Sequence, residues 1–486
     1  MTSAKERVLW HEKRLNAVGM KTVGGKRDWQ ARGIAIDTRL LCDGDMFVAL
    51  RGARQDGHAY IQHAHEKGSP VALVSLESVD IPSSMASILV DDCEDALRAM
   101  ASYARTQSQR VICAVTGSVG KTTTKELIAT ALSCQADVHK STGNYNNALG
   151  VSIALACLPV DGGYGVFECG MNHKGEIETL SRWLRPDIAV ITHIREAHSA
   201  FFSSMEDICD AKAEIFSSTR HDGWAVLNRD DAFYERLEGK ARDRGISNIM
   251  SFGKHKDATM RLLSYERSTG RGRLCYRGET PLSFSLNMMG EHNAMNMLIA
   301  LCVVKICGLS MTKALAALAT HEALEGRGMV LEIPLPEGGS VTLLDESYNA
   351  SPASMAVALQ TLTDIDSKKP KGRRIAVLGD MDELAEPRMR HEELAHVIAK
   401  LAIDAVVCCG TWMAYCASML PTEKRYAYVD NVHRAGDTLC AFVRDGDVVM
   451  IKGSASQNMG TIRDRLYALN RGVGEDGALR QRGRTT

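Results

Sequence analysis

AVTGSVGKTTTKE, residues 114–126, is the stretch on which the reading of this chain turns. The apolar run VICAVT (111–116) leads into it and the helical pattern KELIATAL (125–132) leaves it. A strand, a glycine loop and a helix, in that order, is the setting a phosphate-binding loop requires. Gly117 and Gly120 let the backbone turn tightly, so that the N–H groups of Ser118, Val119 and Thr123 converge with those of the glycines. The helix N-terminus adds partial positive charge. Lys121 can reach the β- and γ-phosphates of a nucleotide, and the Thr122 hydroxyl can ligate Mg²⁺. The full pattern has a further glycine where Val115 stands. The competing reading is a glycine turn that feeds a helix and holds no ligand.

Outward from the loop, the chain alternates short apolar runs with helical patterns. YGVFECG (164–170), DIAVITHI (187–194) and GWAVLN (223–228) continue the series, which predicts a parallel sheet covered by helices on both faces. GEHNAMNMLIALCVVKICG (290–308) reads as one long amphipathic helix ending at Gly308. Before the loop, MFVALRG (46–52), YIQHAHEKG (60–68) and PVALVSL (70–76) read as a small α/β unit. After it, VTLLDES (341–347), RRIAVLGDM (373–381), AVVCCG (405–410) and DVVMIKGS (447–454) are strand-like, with the helical segments SPASMAVALQTL and HEELAHVIAKLA among them. The expectation is an α/β protein of three domains, 1–107, 108–325 and 326–470, with a disordered polar, glycine-rich tail at 471–486.

The composition excludes several classes of function. A net charge of −1 gives no field for nucleic acid or an anionic membrane, and 5% aromatic residues make a poor base-stacking platform. The 14 cysteines are scattered without a Cys-x-x-Cys pair, so zinc ribbons and disulfide scaffolds are not expected. The N-terminus lacks the apolar core of a signal peptide, and MNMLIALCVV stops at Lys305, too short to span a bilayer. A cytoplasmic protein without a membrane span follows.

Carboxylates at strand ends are the usual metal partners of a phosphate loop, because ligands collect outside the carboxyl ends of a parallel sheet. Glu168 ends YGVFE and can hold Mg²⁺ in a water-rich octahedron. It could equally point at solvent.

Taken together, these strings resemble the Mur ligases, the ATP-dependent amide-forming enzymes of peptidoglycan precursor synthesis, on which cell shape and division depend. The resemblance covers about residues 30 to 467. TGSVGKTTTKE is similar to the family's own shortened phosphate loop, which accounts for Val115. VFECGMNHKGEI (166–177) resembles the metal-glutamate segment. THIREAHSAFFSSMEDICDAKAEIF (192–216) resembles a stretch with a metal-binding histidine, here His198, and a carbamylated lysine, here Lys212. Without the resemblance Lys212 would read as an ordinary surface lysine. STGNYNN (141–147) resembles a segment that contacts the muramoyl peptide, at Asn146 and Asn147. GEHNAMNMLIA resembles an adenine-contacting segment, at His292, Asn293 and Asn296; helical spacing puts 292 and 296 on one face. AIDTRLLCDGDMFVALRGARQDGHAYI (35–61) resembles a uridine-nucleotide segment, with Asp37, Thr38 and Arg39 on its motif.

LLDESYNASPASMAVAL (343–359) is the most specific string, and it is similar to the branch that adds a dipeptide. It supplies Asp345, Tyr348 and Asn349. Arg327 in LEGRG is expected near the nucleotide, and Lys452 belongs to a Lys-Gly-Ser segment near the C-terminus. The resemblance implies a monomer that binds ATP, two Mg²⁺ ions, UDP-MurNAc-tripeptide and D-Ala-D-Ala. Lys121, Glu168, His198 and Lys212 form its catalytic group, and Thr122, Glu168, His198 and Lys212 its metal ligands. Two other readings stay open: a ligase of the same family that adds one amino acid, and a nucleotide-binding module without catalysis.

Overall fold

The structure is a computed structural model, which describes residues 7–52, 55–76, 79–196, 199–366 and 372–469. The expected tail at 471–486 and His198 lie outside the described residues.

Three α/β sheets follow one another along the chain. The first has five strands in the order Thr22–Gly24, Ala86–Leu89, Val71–Val74, Asp45–Val48, Gly33–Ala35, parallel apart from Thr22–Gly24. A ribbon of Trp10–His11 with Gln30–Ala31 lies beside it. Trp10 is fully buried and donates from its indole N–H to the Ala156 carbonyl at 2.8 Å, which ties the start of the chain to the central region.

The central sheet has nine strands. Val111–Thr116 lies between Tyr164–Glu168 and Ile188–Ile191, and Trp224–Asn228 and Asn248–Gly253 continue in parallel. The chain after Val111–Thr116 crosses first to one side of it and later to the other, which opens a crevice at its carboxyl end. The register sets Glu168 beside Val115 and Ile191 beside Thr116, so the strand ends meet at that crevice. Met260–Glu266 joins Asn248–Gly253 in parallel, and Arg271–Tyr276 and Leu282–Ser285 then extend the sheet as an antiparallel edge that no sequence pattern announces. These strands are half-exposed and rich in Arg and Ser, so their alternation is weak.

The third sheet has six strands, in the order Met329–Pro334, Ser340–Glu346, Val448–Lys452, Arg374–Gly379, Ala405–Cys409, Arg425–Val429. All neighbours are parallel except the first pair. Helix Pro352–Asp364 opens with a Ser351–Ser354 capping box and a proline in its first turn.

One expectation is corrected. Helix Glu291–Ile306 has no solvent face over most of its length: every residue from Asn293 to Val304 is buried. It is packed between the central sheet and helices Lys121–Ser133 and Met311–Ala319. A helix apolar on every side belongs inside a large domain, and Asn293 and Asn296 are its polar exceptions.

Candidate active site

Gly117 and Gly120 shape the loop by necessity. Gly117 has φ +148°, and a Cβ there would lie 1.9 Å from Thr192 Oγ1. Gly120 caps the following helix at φ +80°, where a Cβ would come within 2.9 Å of Asn296 Oδ1. The neighbouring segment 192–195 grips the loop. Thr192 Oγ1 donates to Val119 O at 2.6 Å, and Ser118 N donates to His193 O at 2.8 Å. The Ser118 hydroxyl donates to Arg195 O at 2.7 Å and accepts from Arg195 N at 3.0 Å. Apart from the Thr192 hydroxyl these partners in 192–195 are backbone groups, which carry no residue signature, so the clamp is not legible in the sequence.

Lys121 donates from Nζ to Gly117 O at 2.9 Å, and burial pulls its pKa below the usual lysine value against the pull of Glu168. Thr122 Oγ1 donates to Glu168 Oε2 at 2.7 Å, and Asn146 Nδ2 donates to Glu168 Oε1 at 2.8 Å. The Glu168 side chain is thus a buried carboxylate with one neutral donor on each oxygen. A hydroxyl and a carboxylate in contact at the mouth of a phosphate loop is a donor set suited to Mg²⁺, which binds one or two protein oxygens and completes its shell with phosphate and water. Among the described residues no cluster of three His, Cys, Asp or Glu side chains could hold a metal. Lys212 is buried in helix Met205–Ala213, and burial, with the charge of Lys121 nearby, drives its pKa well down.

A cavity of about 850 Å³ runs between the carboxyl edges of the central and third sheets. From the central region Ser118 to Thr123, Asn146, Glu168, His292, Asn293 and Asn296 line it. Arg327, Tyr348, Asn349 and Lys452 line it from the other side. The Arg327 guanidinium lies 3.7 Å over the Tyr348 ring. The Lys452 ammonium donates to Glu346 Oε2 at 3.1 Å and to Asn349 O at 2.9 Å. Asn293 Nδ2 donates to Met289 O at 2.7 Å, and burial lowers the His292 pKa.

Other expected residues stand elsewhere. Asp345 does not line the cavity; it is fully buried, and its carboxylate accepts from Gly326 N, Ser347 N and Arg463 Nη1 at 3.0, 3.1 and 3.2 Å. Asn147 caps helix Ala148–Ala156 by accepting from Gly150 N at 2.9 Å. Asp37 and Arg39 form an ion pair at 2.6 Å outside the cavity, which pulls the Asp37 pKa down, and Thr38 O accepts from Lys67 at 2.7 Å. The Tyr145 hydroxyl, raised in pKa by burial, also feels the charge of Asp37, so this corner borders the loop that carries Asn146.

Two polar clasps cross the cleft. Arg390 meets Glu196 through two bonds of 3.1 and 2.8 Å, and Arg267 meets Asp364 at 3.4 Å. Their partners are far apart in sequence, so no local pattern announces them.

Comparison with known proteins agrees with this geometry. Residues 30–105 match the Mur ligase family catalytic domain, 115–304 the Mur ligase middle domain and 334–455 the Mur ligase glutamate ligase domain. The chain is 32% identical over 460 residues to a UDP-N-acetylmuramoyl-tripeptide–D-alanyl-D-alanine ligase of Rickettsia prowazekii, covering 94% of this chain and 99% of that protein. It is 32% identical to the Bacillus subtilis protein of that name, over 88% of this chain and 91% of the relative. Among solved structures, MurF from Acinetobacter baumannii superposes with a TM-score of 0.78 at 28% identity, covering 94% of this chain and 99% of that one. The phosphate loop with its Thr122–Glu168 pair, the three successive α/β sheets and these matches along almost the whole length lead to one conclusion: the chain belongs to the Mur ligase family.

Proposed function

We propose that this protein joins D-Ala-D-Ala to UDP-MurNAc-tripeptide with ATP, giving UDP-MurNAc-pentapeptide, ADP and phosphate. The observation that carries this reading is the cavity itself, which sets the phosphate loop and the Thr122–Glu168 pair opposite the Tyr348–Asn349 turn. The ligases named for that reaction are related to the chain over almost its full length.

The chemistry asks for an activated carboxylate, because an amine cannot expel oxide. An oxygen of the tripeptide carboxylate attacks the γ-phosphorus and ADP leaves. The amine of the dipeptide then attacks the carbonyl carbon, and phosphate departs with the former carboxylate oxygen. Lys121 and the loop N–H groups offset charge on the transferring phosphoryl group. Thr122 and Glu168 would hold one Mg²⁺, and His198 with a carbamylated Lys212 a second. Magnesium, when bound, screens the repulsion between the γ-phosphate and the acceptor carboxylate. Burial shifts the Lys212 amine toward its neutral form, the form that adds CO₂, and this supports the role given to Lys212. His292, Asn293, Asn296 and Arg327 would hold the nucleotide, with Asp345 setting Arg327 in place. Asp37, Thr38 and Arg39 would hold the uridine end, and Asn146 and Asn147 the peptide. Tyr348, Asn349 and Lys452 would receive the dipeptide.

The reading takes the protein as a monomer working in the cytoplasm, where nucleotide substrates are found. Among the described residues no helix is long and apolar enough to cross a membrane. Phosphate release with UDP-MurNAc-tripeptide and D-Ala-D-Ala is the test. Turnover with meso-diaminopimelate and a shorter acceptor instead would assign the chain to another member of the family, and ATP binding without acceptor-dependent turnover would remove the ligase reading altogether.

A further inference from the structure

Lys125 is the one cation of the phosphate-loop helix for which the reaction has no use. Its side chain is fully buried, four residues beyond Lys121. Enclosing an ammonium is expensive unless each N–H finds an acceptor. Here each does: Nζ donates to Ser141 O at 2.7 Å and to Gly143 O at 2.9 Å, and Glu126 Oε1 lies 3.2 Å away. Burial lowers its pKa, while Glu126 and Glu168 work against that shift.

The two carbonyls belong to the loop that runs from Ser141 to Asn147. That loop is joined to Glu168 at both ends. Ser141 Oγ accepts from Glu168 N at 3.3 Å, and Asn146 Nδ2 reaches Glu168 Oε1 at 2.8 Å. Its far end abuts Gly170, whose N–H donates to Asn146 O at 2.8 Å and where a Cβ would stand 2.8 Å from the Asn146 side chain. Gly143 has φ +52°, and a Cβ there would meet nothing within 4 Å, so the lysine reaches the loop's middle through its backbone carbonyl.

We propose that Lys125 is a positioning residue that fixes the Ser141–Asn147 loop to the phosphate-loop helix, so that the acceptor's binding loop and the Glu168 carboxylate are set by the same element that holds the nucleotide. Ordering of the helix by a bound triphosphate is thereby passed to the acceptor loop through two hydrogen bonds. The inference rests on the acceptor role given above to Asn146 and Asn147.

The test is steady-state phosphate release by Lys125→Met, which keeps the stem and removes the donors. The expected result is a KM for UDP-MurNAc-tripeptide raised about tenfold or more, with the KM for ATP within about threefold of wild type. A lysine that only stabilised the fold would leave both constants unchanged or move both together, and either outcome overturns the proposal. Asn146→Ala separates the two ideas. An unchanged acceptor KM in that variant removes the acceptor role of the loop, whereas a raised one beside a normal Lys125→Met removes only the role of the lysine. Should Lys125→Met not fold, hydrogen exchange on the wild-type protein decides. Addition of AMP-PNP and Mg²⁺ is expected to slow amides of residues 141–146 together with those of 121–126, and protection confined to the phosphate loop and its helix overturns the proposal.

Discussion

Asp345→Asn removes one hydrogen bond and the charge facing Arg463, and the loss should be felt as catalysis. The carboxylate divides its work unevenly. Oδ2 accepts from Gly326 N at 3.0 Å and from Arg463 Nη1 at 3.2 Å, whereas Oδ1 accepts from Ser347 N at 3.1 Å. An asparagine has one acceptor, which will take the Oδ2 place and keep two donors satisfied. Its amide nitrogen then faces the buried Ser347 N–H, donor against donor. A hydrogen bond to a charged acceptor is worth about 1.5–3 kcal/mol, and a buried donor left unpaired costs a similar amount. The strain falls on two adjoining turns, one ending at Arg327 and the other beginning at Tyr348, which are stacked on each other at the cavity wall. At about 1.4 kcal/mol per tenfold, kcat/KM for ATP should fall between roughly tenfold and 150-fold. The assay is ATP-dependent phosphate release at saturating acceptor and dipeptide, with a thermal melt on the same sample. A kcat/KM within twofold of wild type would refute the reasoning, and so would a lowered melting temperature with intact kinetics, because either severs the carboxylate from the placement of Arg327.

Lys212→Met should raise the melting temperature of the ligand-free protein in CO₂-free buffer while removing most turnover, because a buried amine is replaced by a thioether of similar shape. Circular dichroism melts and phosphate release at high bicarbonate check the two halves. Exchange of charge across the first clasp, Glu196→Arg with Arg390→Glu, should restore much of the turnover that either single change removes, and a double-mutant cycle on kcat/KM measures the coupling. His139 is held near pKa 4 by burial, with its Nε2 donating to Ala154 O. Its folded pKa lies below the unfolded value of about 6.5, so between those values the unfolded chain binds the extra proton and stability falls as pH falls. A shift of that size amounts to roughly 3 kcal/mol across the window. Denaturant midpoints from pH 7 to pH 4 should therefore drop less steeply in His139→Leu than in wild type.

Much of the architecture was written in local patterns. The runs at 111–116, 164–168 and 405–409 announce parallel strands because they are apolar almost throughout, with Thr116 and Glu168 as polar ends. The phosphate loop was legible because its glycines answer to backbone geometry and its Lys121 and Thr122 to ligand chemistry. Glu168 could be placed at a strand end, but the donors on its two oxygens come from Thr122 and Asn146, and only the folded sheet brings them together. Lys125 was hidden for the same reason, since its value lies in carbonyls of a loop sixteen and eighteen residues away. The antiparallel edge at 260–285 escaped because half-exposed strands carry neither a continuous apolar run nor a clean alternation. Asp345 and Asn147 had the residue types of ligand contacts, and the structure employs both first on backbone N–H groups.

The buried helix Glu291–Ile306 also bears on how the site could change over generations. Its first turns present His292, Asn293 and Asn296 to the cavity, and everything behind them is enclosed. A compound that competed with the nucleotide by leaning on those three side chains would press on the cavity end of a core element. Drift there is constrained twice, by the ligand in front and by close packing behind, so escape variants should arise instead on the exposed rim, at Lys254.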